Sequence, residues 1–270
     1  MPTSERVQPG LPRAESFDEV ADLYERARPT YPETLVTDLI TLAALQKMHR
    51  VLEIGGGTGQ LTVSLARHGM PLIVVERGSN LARVLAQNVA AFPHVTTVVA
   101  DFDRWDTPPG QFDSVIVATA FHWLDPATRL PKCARLLRPG GALAIVDTRW
   151  GAGANGDRFA EESQACYARW DPNYDPNFRS LGPDDMPEFS EELAQSCLFE
   201  TIIHRRYLCR REYKARAYCD LLATFSNILA FDVVSRDGFL RGIERLIEDR
   251  FVGSIVRADV HDLWVARTPM

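Results

Sequence analysis

The residues best placed to do chemistry fall in three short stretches. "VLEIGGGTGQLT", Val51 to Thr62, sets an acid, Glu53, two positions before a run holding Gly55, Gly57 and Gly59. Chain so free of side chains, directly after a strand, lets a bound ligand lie against the backbone. A second acid, Glu76, closes the next apolar run, "LIVVE". The third stretch, "ATAFHWLDP", carries His122 between Phe121 and Trp123. An imidazole with an ordinary pKa near 6.5 suits proton removal at neutral pH, so His122 is a candidate general base or substrate-orienting group. The alternative for His122 is a structural histidine bonding a backbone carbonyl.

The glycine run narrows the ligand. A phosphate-cradling loop ends in Gly-Lys-Ser/Thr, but Gly59 is followed by Gln60 and Leu61. A dinucleotide fingerprint would put glycine at position 60, where Gln60 stands. What remains is acid-x-Gly-x-Gly-x-Gly: Glu53, Gly55, Gly57 and Gly59.

These stretches need elements to hold them. From Arg50 onward the sequence alternates short apolar runs with helical patterns. Strands are expected at Val51 to Ile54, Leu72 to Val75, Val95 to Ala100, Ser114 to Ala118 and Ala142 to Val146. Helices are expected at Gln60 to Arg67, Asn80 to Ala91 and Pro126 to Leu137, the last with Asp125 as N-cap. Such alternation, with strands almost continuous in Val, Ile and Ala, predicts a doubly wound, mostly parallel α/β sheet covered on both faces. Last strands follow at Phe199 to Cys209 and Ile255 to Ala266, making seven in all. Upstream, Ser16 and Glu19 have the spacing of a capping box, and a second helix is expected from about Pro32 to Lys47. The expected organisation is a flexible tail over 1–15, N-terminal helices covering the ligand site over 16–48, a ligand-binding core over 49–150, a cap insertion over 151–197, and completion of the sheet over 198–270.

The ordered set of these features resembles the class I S-adenosylmethionine-dependent methyltransferases, firmly over Val51 to Asp147 and loosely beyond. The resemblance implies a Rossmann-like fold with S-adenosylmethionine as cofactor. Glu53, Gly55, Gly57 and Gly59 would form its first motif. Glu76 would hold the two ribose hydroxyls, and Asp101 and Phe102 would line the adenine pocket. Gly56 stands where many relatives carry a small non-glycine residue, which implies a more flexible loop. "YERARPTYP" is similar to a segment in a subgroup that includes trans-aconitate-methylating and bacterial secondary-metabolism enzymes. That likeness implies that Tyr24 and Arg28 reach the methionine carboxylate and that Tyr31 faces the reacting methyl. "AFHW" stretches recur in the same subgroup, so Phe121, Trp123 and Trp150 are expected at the acceptor pocket beside His122.

The rest of the composition bounds the partners. With 270 residues, 46% hydrophobic and 24% charged, the chain reads as an ordinary globular protein. A net charge of -6 disfavours a nucleic-acid partner. "HRRYLCRRE", His204 to Glu212, reads as a solvated, aggregation-resistant edge strand rather than an RNA site. Five cysteines without CxxC spacing suggest idle thiols in a reducing cytoplasm, and no metal site is expected. There is no signal-peptide pattern and no membrane-length apolar run. The expected activity is methyl transfer to oxygen, nitrogen or carbon of a small organic molecule. Binding of the cofactor without methyl transfer, as a cyclisation catalyst or binding module, stays open, as does an RNA methyltransferase. The oligomeric state is not legible.

Overall fold

The computed structural model describes residues 14–151, 157–177 and 189–270. The expected tail, except its last two residues, and parts of the expected cap insertion (152–156 and 178–188) lie outside these.

Seven strands form one sheet: β1 (Val51–Ile54), β2 (Leu72–Glu76), β3 (Val95–Val99), β4 (Phe112–Ala118), β5 (Leu137–Arg149), β6 (Thr201–Lys214) and β7 (Ser254–Arg267). Their order is β3-β2-β1-β4-β5-β7-β6. The pairs β1/β2, β1/β4, β2/β3 and β4/β5 are parallel. This is the doubly wound α/β architecture expected, and its order reverses between β1 and β4.

Burial explains why the strands read as unbroken apolar runs. Leu52 and Ile54 of β1, Val115 and Val117 of β4, and Leu143 and Ile145 of β5 pack into one core. The alternate residues Val51, Ile116, Ala142, Ala144 and Val146 pack into a second. Side chains alternate across a strand, so a sheet buried on both faces needs apolar residues at every position.

The described residues divide into two compact units. The sheet unit holds Pro29–Thr148, Tyr207 and the described residues before it back to Phe189, and His261–Met270. The other unit draws on the described residues of Met1–Arg28, Arg149–Asp185 and Leu208–Val260. Its core joins Phe159 to Tyr218, Leu222, Ile228, Phe239, Ile243 and Ile247. The segment 16–48, expected as one block, is therefore divided at Arg28 and Pro29.

Three local expectations are corrected. Ala14–Val20 is a 3-10 helix, and Ser16 Oγ is buried with no hydrogen-bond partner among the described residues, so the capping box does not form. The helix after Pro32 stops at Leu42, short of Lys47, and Ala44 turns the chain at φ 51. Asp125 is one turn upstream of its helix, which runs Arg129–Leu136; its side chain instead accepts from Ala127 N at 3.0 Å.

β6 lies at the end of the sheet order, as an edge strand should. Its basic residues are not simply solvated. His204 Nε2 and Arg206 Nε both lie 2.7 Å from Oδ1 of the buried Asp262 on β7. Tyr207 donates to Asp38 Oδ2 at 2.6 Å. The strand's charges thus answer acids that the neighbouring strand buries, which the one-strand reading had no means to anticipate.

Candidate functional site

The glycine loop leaves β1 at the point where the strand order reverses, the usual ligand crevice of an open α/β sheet. Gly55 N donates to Val75 O at 2.8 Å, and Gly55 then turns at φ +70. A Cβ there would lie 2.5 Å from Ala120 Cβ, so the loops after β1 and β4 touch with no room for a side chain. Gly57 and Gly59 also have positive φ, at 58 and 109.

Glu76 ties the loop to the end of β2. Its Oε2 accepts from Gly57 N at 2.8 Å and its Oε1 from Gly78 N at 2.8 Å. Both bonds are charge-assisted, the stronger class. The carboxylate is largely buried.

Glu53 lies under the same loop, 1% exposed. Burial pushes its carboxyl up to about 8, and the nearby Glu76 charge raises it as well. A side-chain hydrogen bond from Thr62 acts the other way and pulls it down. Two buried acids, Glu53 and Glu76, thus flank a loop whose glycines leave no room for a Cβ, an arrangement that offers acceptors to a hydroxyl-bearing ligand laid against the backbone. The residues present therefore fit a nucleoside carrying a zwitterionic amino acid.

After β3, Ala100 N donates to Glu76 O at 3.0 Å and Asp101 opens a tight turn, its Oδ1 accepting from Asp103 N at 3.0 Å. Lys132 Nζ spans this turn, donating to the carbonyls of Phe102 at 2.5 Å, Asp103 at 3.1 Å and Trp105 at 2.7 Å. Phe102 itself packs in the core, with Lys132 Nζ 4.7 Å from its ring centre. Lys132 was not among the expected site residues; a lone lysine on a helix gives no sign in sequence that it clamps a distant turn.

The "AFHW" stretch is a 3-10 turn, Phe121–Trp123. Phe121 is 1% exposed and its ring meets Phe189 edge-on at 5.0 Å. The reason is Arg129, whose Nη1 donates to Phe121 O at 2.9 Å while its guanidinium covers the ring at 4.4 Å. Arg129 is held in turn by Glu192 through bonds of 2.8 and 2.5 Å. His122 and Trp123, both half-buried, lie with ring centres 5.0 Å apart.

Tyr31 also reaches the end of β4. Its hydroxyl is 2.8 Å from Thr119 Oγ1, which is 3.0 Å from Thr148 Oγ1, which is 2.9 Å from His261 Nδ1. Thr119, Thr148 and His261 escaped the sequence reading because they lie on three separate strands or strand ends.

Tyr24, Arg28 and Trp150 fall in the other unit. Arg28 is 6% exposed, its guanidinium 5.0 Å from the ring centres of both Tyr24 and Trp150 and 4.6 Å from that of Phe225. Its Nε donates to Thr224 Oγ1 at 2.8 Å and its Nη2 to Thr224 O at 2.9 Å. A guanidinium buried in an aromatic cage is no exposed surface charge.

Among the described residues no group of His, Cys, Asp and Glu could hold a metal, and no helix is long and apolar enough to cross a membrane.

The comparisons with known proteins agree with this geometry. A crystal structure described as a putative type II methyltransferase from Anaeromyxobacter dehalogenans matches with TM-score 0.59 and 22% identity over 90% of this chain and 97% of that one. A Haemonchus contortus phosphoethanolamine N-methyltransferase solved with S-adenosylhomocysteine matches with TM-score 0.53 and 19% identity over 94% of this chain and 58% of that one. Both likenesses show the fold. An uncharacterized methyltransferase of Mycobacterium tuberculosis is 37% identical over 131 residues, 48% of this chain and 51% of that protein, so the chain spans about half the length of this relative. Residues 52–145, which run from β1 into β5 and carry the glycine loop, Glu76 and the 3-10 turn, match the family model described as a methyltransferase domain.

Proposed function

We propose that this protein is an S-adenosylmethionine-dependent methyltransferase acting on oxygen, nitrogen or carbon of a small organic molecule. The observation that carries the reading is Glu76, bridging Gly57 N and Gly78 N at 2.8 Å each beside the buried Glu53. When bound, S-adenosylmethionine supplies an electrophilic methyl on a sulfonium centre.

The chain's own residues do the rest. Gly55, Gly57 and Gly59 let the ligand approach the backbone, Glu76 accepts from its ribose hydroxyls, and Glu53 holds the loop's polar underside. Asp101 and the neighbouring Phe102 backbone turn form the adenine end, with Lys132 fixing the turn. His122, Trp123 and Tyr31 surround the acceptor, with His122 or Tyr31 receiving a proton where one is lost. Much of the rate gain comes from holding nucleophile and methyl in line in a dry pocket. The subgroup likeness of "YERARPTYP" and "AFHW" supports a cytoplasmic enzyme of the trans-aconitate or secondary-metabolism type. The net charge of -6 supports an acceptor other than nucleic acid.

The test is incubation with methyl-labelled S-adenosylmethionine and candidate acceptors, alongside calorimetry with S-adenosylhomocysteine. Label in a small product resistant to ribonuclease is expected. Label lost on ribonuclease treatment would make RNA the acceptor. Cofactor binding that never yields labelled product would favour a cyclisation catalyst or binding module, and absence of binding would overturn the reading.

A further inference from the structure

We propose that Tyr31, Thr119, Thr148 and His261 form an ordered proton relay, and that the methyl acceptor is a molecule that gives up an O–H or N–H proton as it reacts. This rests on the methyltransferase reading above and narrows it, setting aside a carboxylate acceptor of the trans-aconitate type. All four residues belong to the sheet unit. They are linked in series by contacts of 2.8, 3.0 and 2.9 Å, ending at His261 Nδ1.

The order of the chain follows from counting protons. A threonine hydroxyl has one proton to donate. If His261 accepts at Nδ1, Thr148 spends its proton there and must accept from Thr119. Thr119 then has no proton left for Tyr31, so Tyr31 must donate to Thr119. One tautomer at the buried end thus fixes three hydroxyls and makes Tyr31 Oη the donor that opens the series.

Two further observations mark this as a built device. Thr148 is 2% exposed and His261 1% exposed, so two polar side chains have been taken out of water where valine and an apolar ring would pack without desolvation cost. Thr119 adopts φ 53, a left-handed conformation that is a real outlier for a β-branched residue. Such strain persists only when its surroundings impose it, and it concentrates at functional sites. Here Thr119 N is held by Val146 O at 2.7 Å, and the next residue, Ala120, is the one whose Cβ abuts Gly55. The second hydroxyl of the series, that of Thr119, therefore belongs to the residue before the one that abuts the glycine loop.

In the proposed step the acceptor's heteroatom bonds to the methyl carbon as the carbon–sulfur bond breaks, sulfur keeping that electron pair. The acceptor's proton passes to Tyr31 Oη and the proton of Tyr31 to Thr119 Oγ1. That of Thr119 passes to Thr148 Oγ1 and that of Thr148 to His261 Nδ1, which ends as the imidazolium. Tyr31 is the catalytic residue; Thr119, Thr148 and His261 act through it as positioning residues.

The test is nitrogen NMR of the full chain with isotope-labelled histidine, and carbon NMR with labelled tyrosine, without ligand. The expected result is His261 protonated at Nε2 with Nδ1 accepting a hydrogen bond, and Tyr31 reading as a donor. Thr148→Val should shift the Nδ1 resonance toward that of an unbonded imidazole nitrogen, and Thr148→Ser should retain the wild-type position. A proton on Nδ1, Tyr31 reading as an acceptor, or a folded Thr148→Val with an unmoved Nδ1 resonance would overturn the relay. If Thr148→Val does not fold, the wild-type tautomer and Thr148→Ser decide. A labelled product methylated on a carboxylate, thioether or tertiary amine would overturn the acceptor class. Failure to bind S-adenosylhomocysteine would instead strike the methyltransferase reading, and the NMR result stands apart from it.

Discussion

Gly56 and Val74 leave no space between them: a Cβ on Gly56 would lie 2.3 Å from Val74 Cγ1. From the sequence alone Gly56 implies a looser loop than relatives have. The packing reverses that implication, because Gly56 is where the loop seats on buried β2. We expect Gly56→Ala to cost about 1 to 3 kcal/mol, the usual price of overpacking a core. Urea unfolding checks this, and an unchanged midpoint would mean that the loop can lift off β2 freely.

Glu76→Ala removes the acceptor of both Gly57 N and Gly78 N, together with the proposed ribose contact. Charged hydrogen bonds contribute about 1.5 to 3 kcal/mol each, so affinity for S-adenosylhomocysteine should fall at least tenfold. Calorimetry gives the answer directly, and equal affinities would remove Glu76 from the ligand site.

The raised carboxyl of Glu53 makes a pH prediction. Its ordinary value is 4.5 and burial moves it to about 8, so between these values the folded state holds more proton than the unfolded state. Stability then falls as pH rises through that window. The contribution of the protonated acid is present in full below about 4.5 and is gone once pH passes about 8. Glu53→Gln should flatten the decline in denaturation midpoint measured across the window. A parallel decline in both proteins would assign it to other groups.

Arg129 holds the 3-10 turn that carries His122, through Phe121 O and the fork on Glu192. Arg129→Met leaves Glu192 and the Phe121 carbonyl without their donor. Breaking one partner of a buried pair costs about 3 to 5 kcal/mol, and the partial exposure of Glu192 places this case at or below the lower end. Thermal unfolding measures the loss, and hydrogen exchange should rise at Trp123 N and Leu124 N, which bond within the turn. Unaltered exchange there would show that the turn holds itself.

His122→Ala should slow methyl transfer while leaving S-adenosylhomocysteine affinity unchanged, because His122 orients the acceptor. Steady-state turnover against calorimetric affinity separates the two effects. A normal rate would remove His122 from the mechanism.

Much of this molecule was determined by local pattern. The apolar runs from Val51 and Leu72 became strands within a residue of their expected bounds, because a strand buried on both faces admits little but apolar residues. The glycine loop and Glu76 were equally legible, since backbone approach and a strand-end acid are written in consecutive residues. Contacts between distant positions were decided by tertiary structure alone. That Arg129 and Phe189 enclose Phe121 is visible only in the fold. Gly56 reads as slack until Val74 is set beneath it. Thr119, Thr148 and His261 read as nothing until three neighbouring strands bring their polar atoms into series at 3.0 and 2.9 Å. A sequence records which groups are available, but hydrogen bonds across 29 and 113 residues exist only once the sheet has fixed which strand ends are neighbours.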